Sequence, residues 1–127
     1  MNQINKKSIC IIHSDQDIND LFKTFLEYSG YQVNGFTTPY EGLLSFDQER
    51  QDLVLIGLVF TEMNGLRVYK RLKEIDNSVR ILVVTANMGY ADLLQEIYPE
   101  TKNKIVYEPI ALGELKNRVD SIFLIGN

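Results

Sequence analysis

Asp52-Leu-Val-Leu-Ile-Gly57, continued by Leu58-Val59, is apolar almost throughout and ends at a residue with no side chain. A run this short and continuous is expected of a strand covered on both faces, so Leu53 to Val59 reads as a central strand. Working outward, the hydrophobic period switches repeatedly between two and 3.6. Ile9-Cys-Ile-Ile12 is a second short apolar run. Ser14 and Asp17 then give an S-x-x-D helix start, with Ile18, Leu21, Phe22, Phe25 and Leu26 on one helical face. Gly30 stands where a helix C′ residue is expected.

Tyr31 to Phe36 reads as a strand. Thr38-Pro39-Tyr40-Glu41 is a capping box with proline at N1, opening a helix through about Arg50. Beyond the central strand, a loop from Phe60 to Asn64 leads to a helix carrying Leu66, Tyr69 and Leu72. A strand is predicted over Val79 to Thr85. A helix follows over Tyr90 to Tyr98, with Leu93, Leu94 and Ile97 on one side and Pro99 as its stop. Ile105 to Tyr107 is a short last strand. Ala111 to Ile125 is a last helix, with Leu112, Leu115, Val119 and Ile122 inward.

Five β–α units with short connections imply a parallel sheet with helices on both faces. The chain of 127 residues, 45% apolar, fits a single domain over 1–127. Its formal charge is −4, and its basic residues are scattered along the sequence, which argues against direct nucleic-acid binding. No apolar run approaches the ~20 residues of a membrane helix, and the polar Met1 to Lys7 stretch lacks a signal-peptide core. The cytoplasm is the expected location. Cys10, the single cysteine, is read as a buried thiol.

In an open parallel sheet the functional crevice lies outside the carboxyl ends of the strands. The segments to examine are His13-Ser14-Asp15, Gly57-Leu58, Thr85-Ala86 and Glu108-Pro109. These segments resemble the receiver domain of two-component response regulators from Ser8 to Phe123. Asp52-Leu-Val-Leu-Ile with Met63-Asn64-Gly65-Leu66 resembles the third strand and its following turn. Ile81-Leu-Val-Val-Thr85-Ala86 resembles the fourth strand with its hydroxyl residue, and Glu108-Pro109 stands at the family's Lys-Pro.

The resemblance implies a flavodoxin-like, three-layer fold: one doubly wound, five-stranded parallel sheet in order 2-1-3-4-5. Two of its five helices lie on one face and three on the other. It implies a cis Glu108-Pro109 bond. It also assigns the departures. Active receivers hold Mg²⁺ with an acidic pair after the first strand, where this chain has His13 and Ser14, with Asp15 one position beyond. The phosphoacceptor aspartate is replaced by Gly57 and the phosphate-binding lysine by Glu108. Thr85 alone is retained. Ile105 replaces the switching aromatic, and Tyr107 shares its face two residues on, so Thr85, Ile105 and Tyr107 are the switch-like positions.

Mg²⁺ takes octahedral oxygen ligands, usually from one or two carboxylates plus phosphate, so Asp15 by itself gives weak binding at most. Phosphoryl transfer depends on positioning and charge neutralisation, and the nucleophile, most of the metal site and the cation are absent together. No catalytic residue and no cofactor is expected. His13 is open to four readings: a partly exposed loop residue, a pH-sensitive contact, an alternative phosphoacceptor, or a partner of Glu108 across the rim. Ser14 is accounted for by helix capping.

The expectation is a stand-alone pseudo-receiver that is not an enzyme. It would bind a protein partner, or form a homodimer, through its fourth helix, fifth strand and fifth helix, with no output domain after the last helix. Two alternatives remain: a phosphorelay receiver using His13, Ser14 or Asp15 as acceptor, and a flavin or small-ligand module. The second lacks a phosphate-binding loop, since His13-Ser-Asp-Gln-Asp17 is acidic.

Overall fold

The computed structural model describes residues 6–125. Most of the Met1 to Lys7 start lies outside them. The element order is β1 (Ser8–Ile12), α1 (Gln16–Tyr28), β2 (Gln32–Phe36), α2 (Pro39–Gln48), β3 (Leu53–Ile56), α3 (Gly65–Ile75), β4 (Ile81–Thr85) and α4 (Met88–Ile97). A 3₁₀ turn (Pro99–Thr101), β5 (Ile105–Tyr107) and α5 (Leu112–Ile125) complete it. All four strand pairings are parallel, and the order is β2-β1-β3-β4-β5. This is the expected doubly wound sheet.

Alternate residues of the strands feed two cores. Cys10, Ile12, Val54, Ile56, Ile81 and Val83 meet α2, α3 and α4 through Phe46, Leu72 and Leu94. Ile9, Ile11, Leu53, Leu55, Leu82 and Val84 meet α1 and α5 through Phe22, Leu26, Leu115 and Val119. Three helices therefore cover one face and two the other. Each such side chain contributes roughly 1.5–3 kcal/mol on burial. Strands buried on both faces explain the continuous apolar runs.

Local chemistry sets most ends. Thr38 caps α2 by accepting the Glu41 amide at 3.3 Å, with Pro39 at N1. Gly30 follows α1 with φ of +103°, a backbone region that favours glycine. The Arg50 guanidinium donates to the carbonyls of Phe46 and Asp47, both at 2.7 Å, so α2 ends at Gln48 rather than reaching Arg50.

Two readings of α1 are corrected. The cap of α1 is Asp15, not Ser14: its Oδ1 accepts the amides of Asp17 at 2.9 Å and Ile18 at 3.1 Å. The helix begins at Gln16, so Ser14 is one position too early to reach those donors. The buried stripe of α1 is Asn19, Phe22 and Leu26, while Leu21 is 48% exposed. In α4 only Ala91 and Leu94 are buried; Leu93 and Ile97 face solvent. Its neighbour β5 has three residues and lies at the sheet edge, which leaves little surface for a wide apolar stripe to cover.

Candidate functional site

The strand order reverses between β1 and β3, so their carboxyl ends open onto one crevice. The register aligns Ile12 with Ile56, which brings His13 and Gly57 side by side, and pairs Thr85 with Tyr107, which brings Glu108 to the same rim. The Gly57 amide donates to the Ile12 carbonyl at 2.8 Å, and the Glu108 amide to the Thr85 carbonyl at 2.8 Å. A cavity of about 390 Å³ results, lined by His13, Ser14, Asp15, Gly57, Thr85 and Glu108. Leu58, Val59, Val84, Ala86 and Asn87 complete it. All six rim residues singled out in the sequence thus meet at one place.

Its centre is a side-chain pair. His13 Nε2 lies 3.2 and 3.3 Å from the two Glu108 carboxylate oxygens, and both side chains are less than one-fifth exposed. His13 Nδ1 accepts the Asp15 amide at 3.1 Å. A neutral ring with an acceptor Nδ1 carries its proton on Nε2, so the imidazole donates to Glu108. A hydrogen bond to a charged group of this kind contributes about 1.5–3 kcal/mol. Of the readings of His13, the structure shows the contact with Glu108.

Gly57 fits beneath this pair. A Cβ at that position would meet His13 Cδ2 at 3.3 Å, with Cγ at 3.6 Å and Nε2 at 3.7 Å. The imidazole therefore packs over the bare backbone. Thr85 is 3% exposed, and its hydroxyl accepts the Asn87 amide at 3.0 Å, fixing the turn into α4. Ile105 is buried in the three-helix core, and Tyr107 is 41% exposed beside it on the strand.

Asn19 was missed in the sequence. It is 2% exposed, and its amide donates to the carbonyls of His13 at 3.1 Å and Phe36 at 2.8 Å. It ties the loop that carries His13 to the end of β2. The available signal was a polar residue in helical register with Phe22 and Leu26.

The sequence profile of the response regulator receiver domain matches residues 9–120. The chain belongs to that family. It is 32% identical over 93 residues to sporulation initiation phosphotransferase F of Bacillus subtilis, covering 73% of each chain. It is 25% identical over 118 residues to the response regulator receiver protein CpdR of Brucella abortus, covering 93% of this chain and 98% of that one. A CheY-like receiver domain from Methanospirillum hungatei superimposes with a TM-score of 0.83 at 21% identity, over 92% of this chain and 93% of that one.

Receiver domains are modules of two-component signalling that act on protein partners. In this receiver the Glu108-Pro109 bond is cis, as the resemblance implied. The Mg²⁺ that the family implies does not fit the side chains present. Among the described residues no group of three His, Cys, Asp or Glu is placed to hold a metal. Oδ1 of Asp15 accepts two helix amides, and the Glu108 carboxylate is paired with His13. No described helix is long and apolar enough to cross a membrane.

Proposed function

We propose that this receiver signals through protein–protein contact without aspartyl phosphorylation. The observation that carries the proposal is the His13–Glu108 pair packed over Gly57. Where active receivers place a metal-binding acid, a nucleophile and a cation, this rim carries His13, Gly57 and Glu108 around its crevice. The neutral imidazole and the carboxylate satisfy each other, and Thr85 serves the backbone. A phosphoryl group would meet a carboxylate in place of the lysine and find no acceptor beneath it.

The contact face in this reading is α4, β5 and α5. Supporting it are exposed apolar side chains: Leu93 (42%), Ile97 (52%) and Tyr107 (41%). Apolar exposure of this kind marks interaction surfaces when it is contiguous. The partner is another protein or a second copy of the chain. With Ile105 packed in the core and Gly57 inert, the face has one constitutive state, because no ligand at the rim distinguishes two.

Intact-mass spectrometry after incubation with acetyl phosphate and Mg²⁺ tests the proposal, with no phosphate adduct expected. A stoichiometric adduct on His13, Ser14 or Asp15 would establish instead a phosphorelay receiver with an unorthodox acceptor. Sedimentation equilibrium of Leu93→Asp and Ile97→Asp variants tests the face for self-association. A dimer that survives both substitutions would exclude it.

A further inference from the structure

Two charged stripes of opposite sign lie on the outer side of α3 and α4. Between these helices runs a groove of about 660 Å³, lined by Leu66, Arg67 and Lys70 of α3 and by Ile97 of α4. Arg71 and Glu74 also line it, and they pair with each other at 3.5 Å, so they add no net charge. Arg67 and Lys70 are exposed and stand at i and i+3, on one face of α3. Among the described residues neither side chain has an ion-pair partner.

The far flank of α4 carries the opposite charge. Leu93 and Ile97 form an exposed apolar stripe at i and i+4, and Ile97 lines the groove beside α3. Asp92 and Glu96 stand one residue before each of them, about 100° around the helix. Both are exposed and neither lines the groove, which places them on the side of α4 away from α3. Among the described residues they too have no ion-pair partner. Across the surface the order is therefore two cations, an apolar seam and two carboxylates. The cations are about 4.5 Å apart along α3 and the carboxylates about 6 Å apart along α4, a difference long side chains absorb. The patch sums to zero on a chain of net charge −4.

We propose that this surface docks a second copy of the chain about a two-fold axis through the Leu93–Ile97 seam. Such an axis exchanges the flanks, so Arg67 and Lys70 of each copy face Asp92 and Glu96 of the other. The two apolar stripes meet at the centre, with the charge pairs as a polar rim. The order of signs selects this occupant. A uniformly acidic partner would pair with α3 and be repelled by α4, and a basic one would do the reverse. A nucleic-acid backbone would meet the same carboxylates. A second copy carries the complementary pattern by symmetry. The inference rests on the reading that the exposed face of α4 is the working contact. It selects which of the two partners sits there, and makes α3 rather than α5 the second helix of the contact.

Sedimentation equilibrium of the full chain tests this. A monomer–dimer equilibrium is expected, weakening as salt rises because the charge pairs lie at the rim. Arg67→Glu with Lys70→Glu gives a face with acids on both flanks, and Asp92→Lys with Glu96→Lys gives one with cations on both. Each double variant alone should dimerise less tightly by about tenfold or more. An equimolar mixture of the two should form a heterodimer at least as tight as the native dimer, since every pair is then opposite in sign. Misfolding cannot produce that rescue, and all four positions are exposed. Leu93→Asp should abolish the dimer, and Tyr107→Asp should leave it intact. A chain that stays monomeric at about 1 mM would overturn the inference while leaving the α4 face to a different protein. A mixture that associates no better than its components would overturn it. So would a dimer lost in Tyr107→Asp and kept in both charge variants, which leaves the α4, β5 and α5 face standing. A dimer that survives Leu93→Asp would remove the α4 face and this inference together.

Discussion

Restoring the missing aspartate alone will not restore phosphorylation, and the structure says by how much it falls short. In Gly57→Asp the new Cβ lies 3.3 Å from His13 Cδ2, so the ring must give by a few tenths of an ångström. The new carboxylate then stands close to Glu108, whose oxygen is 3.2 Å from His13 Nε2. Two carboxylates about 5 Å apart, at an effective dielectric near 20, repel by about 3 kcal/mol. That is a penalty of roughly a hundredfold against the doubly ionised state, the state a nucleophilic carboxylate beside Glu108 requires. Mg²⁺ would relieve it, but Ser14 and His13 offer no carboxylate, and Asp15 stands one position beyond them as the cap of α1. We expect Gly57→Asp to show no phosphate adduct by intact mass after acetyl phosphate treatment. The combined His13→Asp, Ser14→Asp, Gly57→Asp, Glu108→Lys variant should gain one. Full labelling of the single variant with Glu108 unchanged would refute the reasoning.

Three further outcomes are expected. Gly35→Ala should destabilise the fold by about 2–4 kcal/mol in urea unfolding, because its Cβ would lie 2.0 Å from Asn19 Oδ1 and expel a side chain that satisfies two buried carbonyls; combined with Asn19→Ala its cost should be less than additive. Cys10 is buried, and desolvation pushes its thiol up to about 12, so it should resist thiol reagents in the native protein at mildly alkaline pH and react at once on unfolding. Asp120 is desolvated, which raises its carboxyl, but Lys116 at 2.6 Å and the Tyr31 hydroxyl outweigh that and hold it below 3.8. Its folded form therefore binds fewer protons, and its stabilisation is present above that pH and lost as pH falls through the lowered value; Asp120→Asn should remove this part of the acid dependence in pH-resolved melts.

The sequence alone determined the alternation of strands and helices, the central place of β3 and the inertness of position 57. Apolar period and the absence of a side chain are local properties. The Thr38 cap and the glycine after α1 were legible for the same reason, because each is settled within a few residues. The misreadings fell on α1: Asp15 rather than Ser14 caps it, and Leu21 stands outside its buried stripe.

Pairing with Glu108, 95 residues away, was one of several readings of His13 in the sequence; only the tertiary structure could select it and show that the imidazole rests on Gly57. Strand register sets those approaches, and register depends on every layer packing at once.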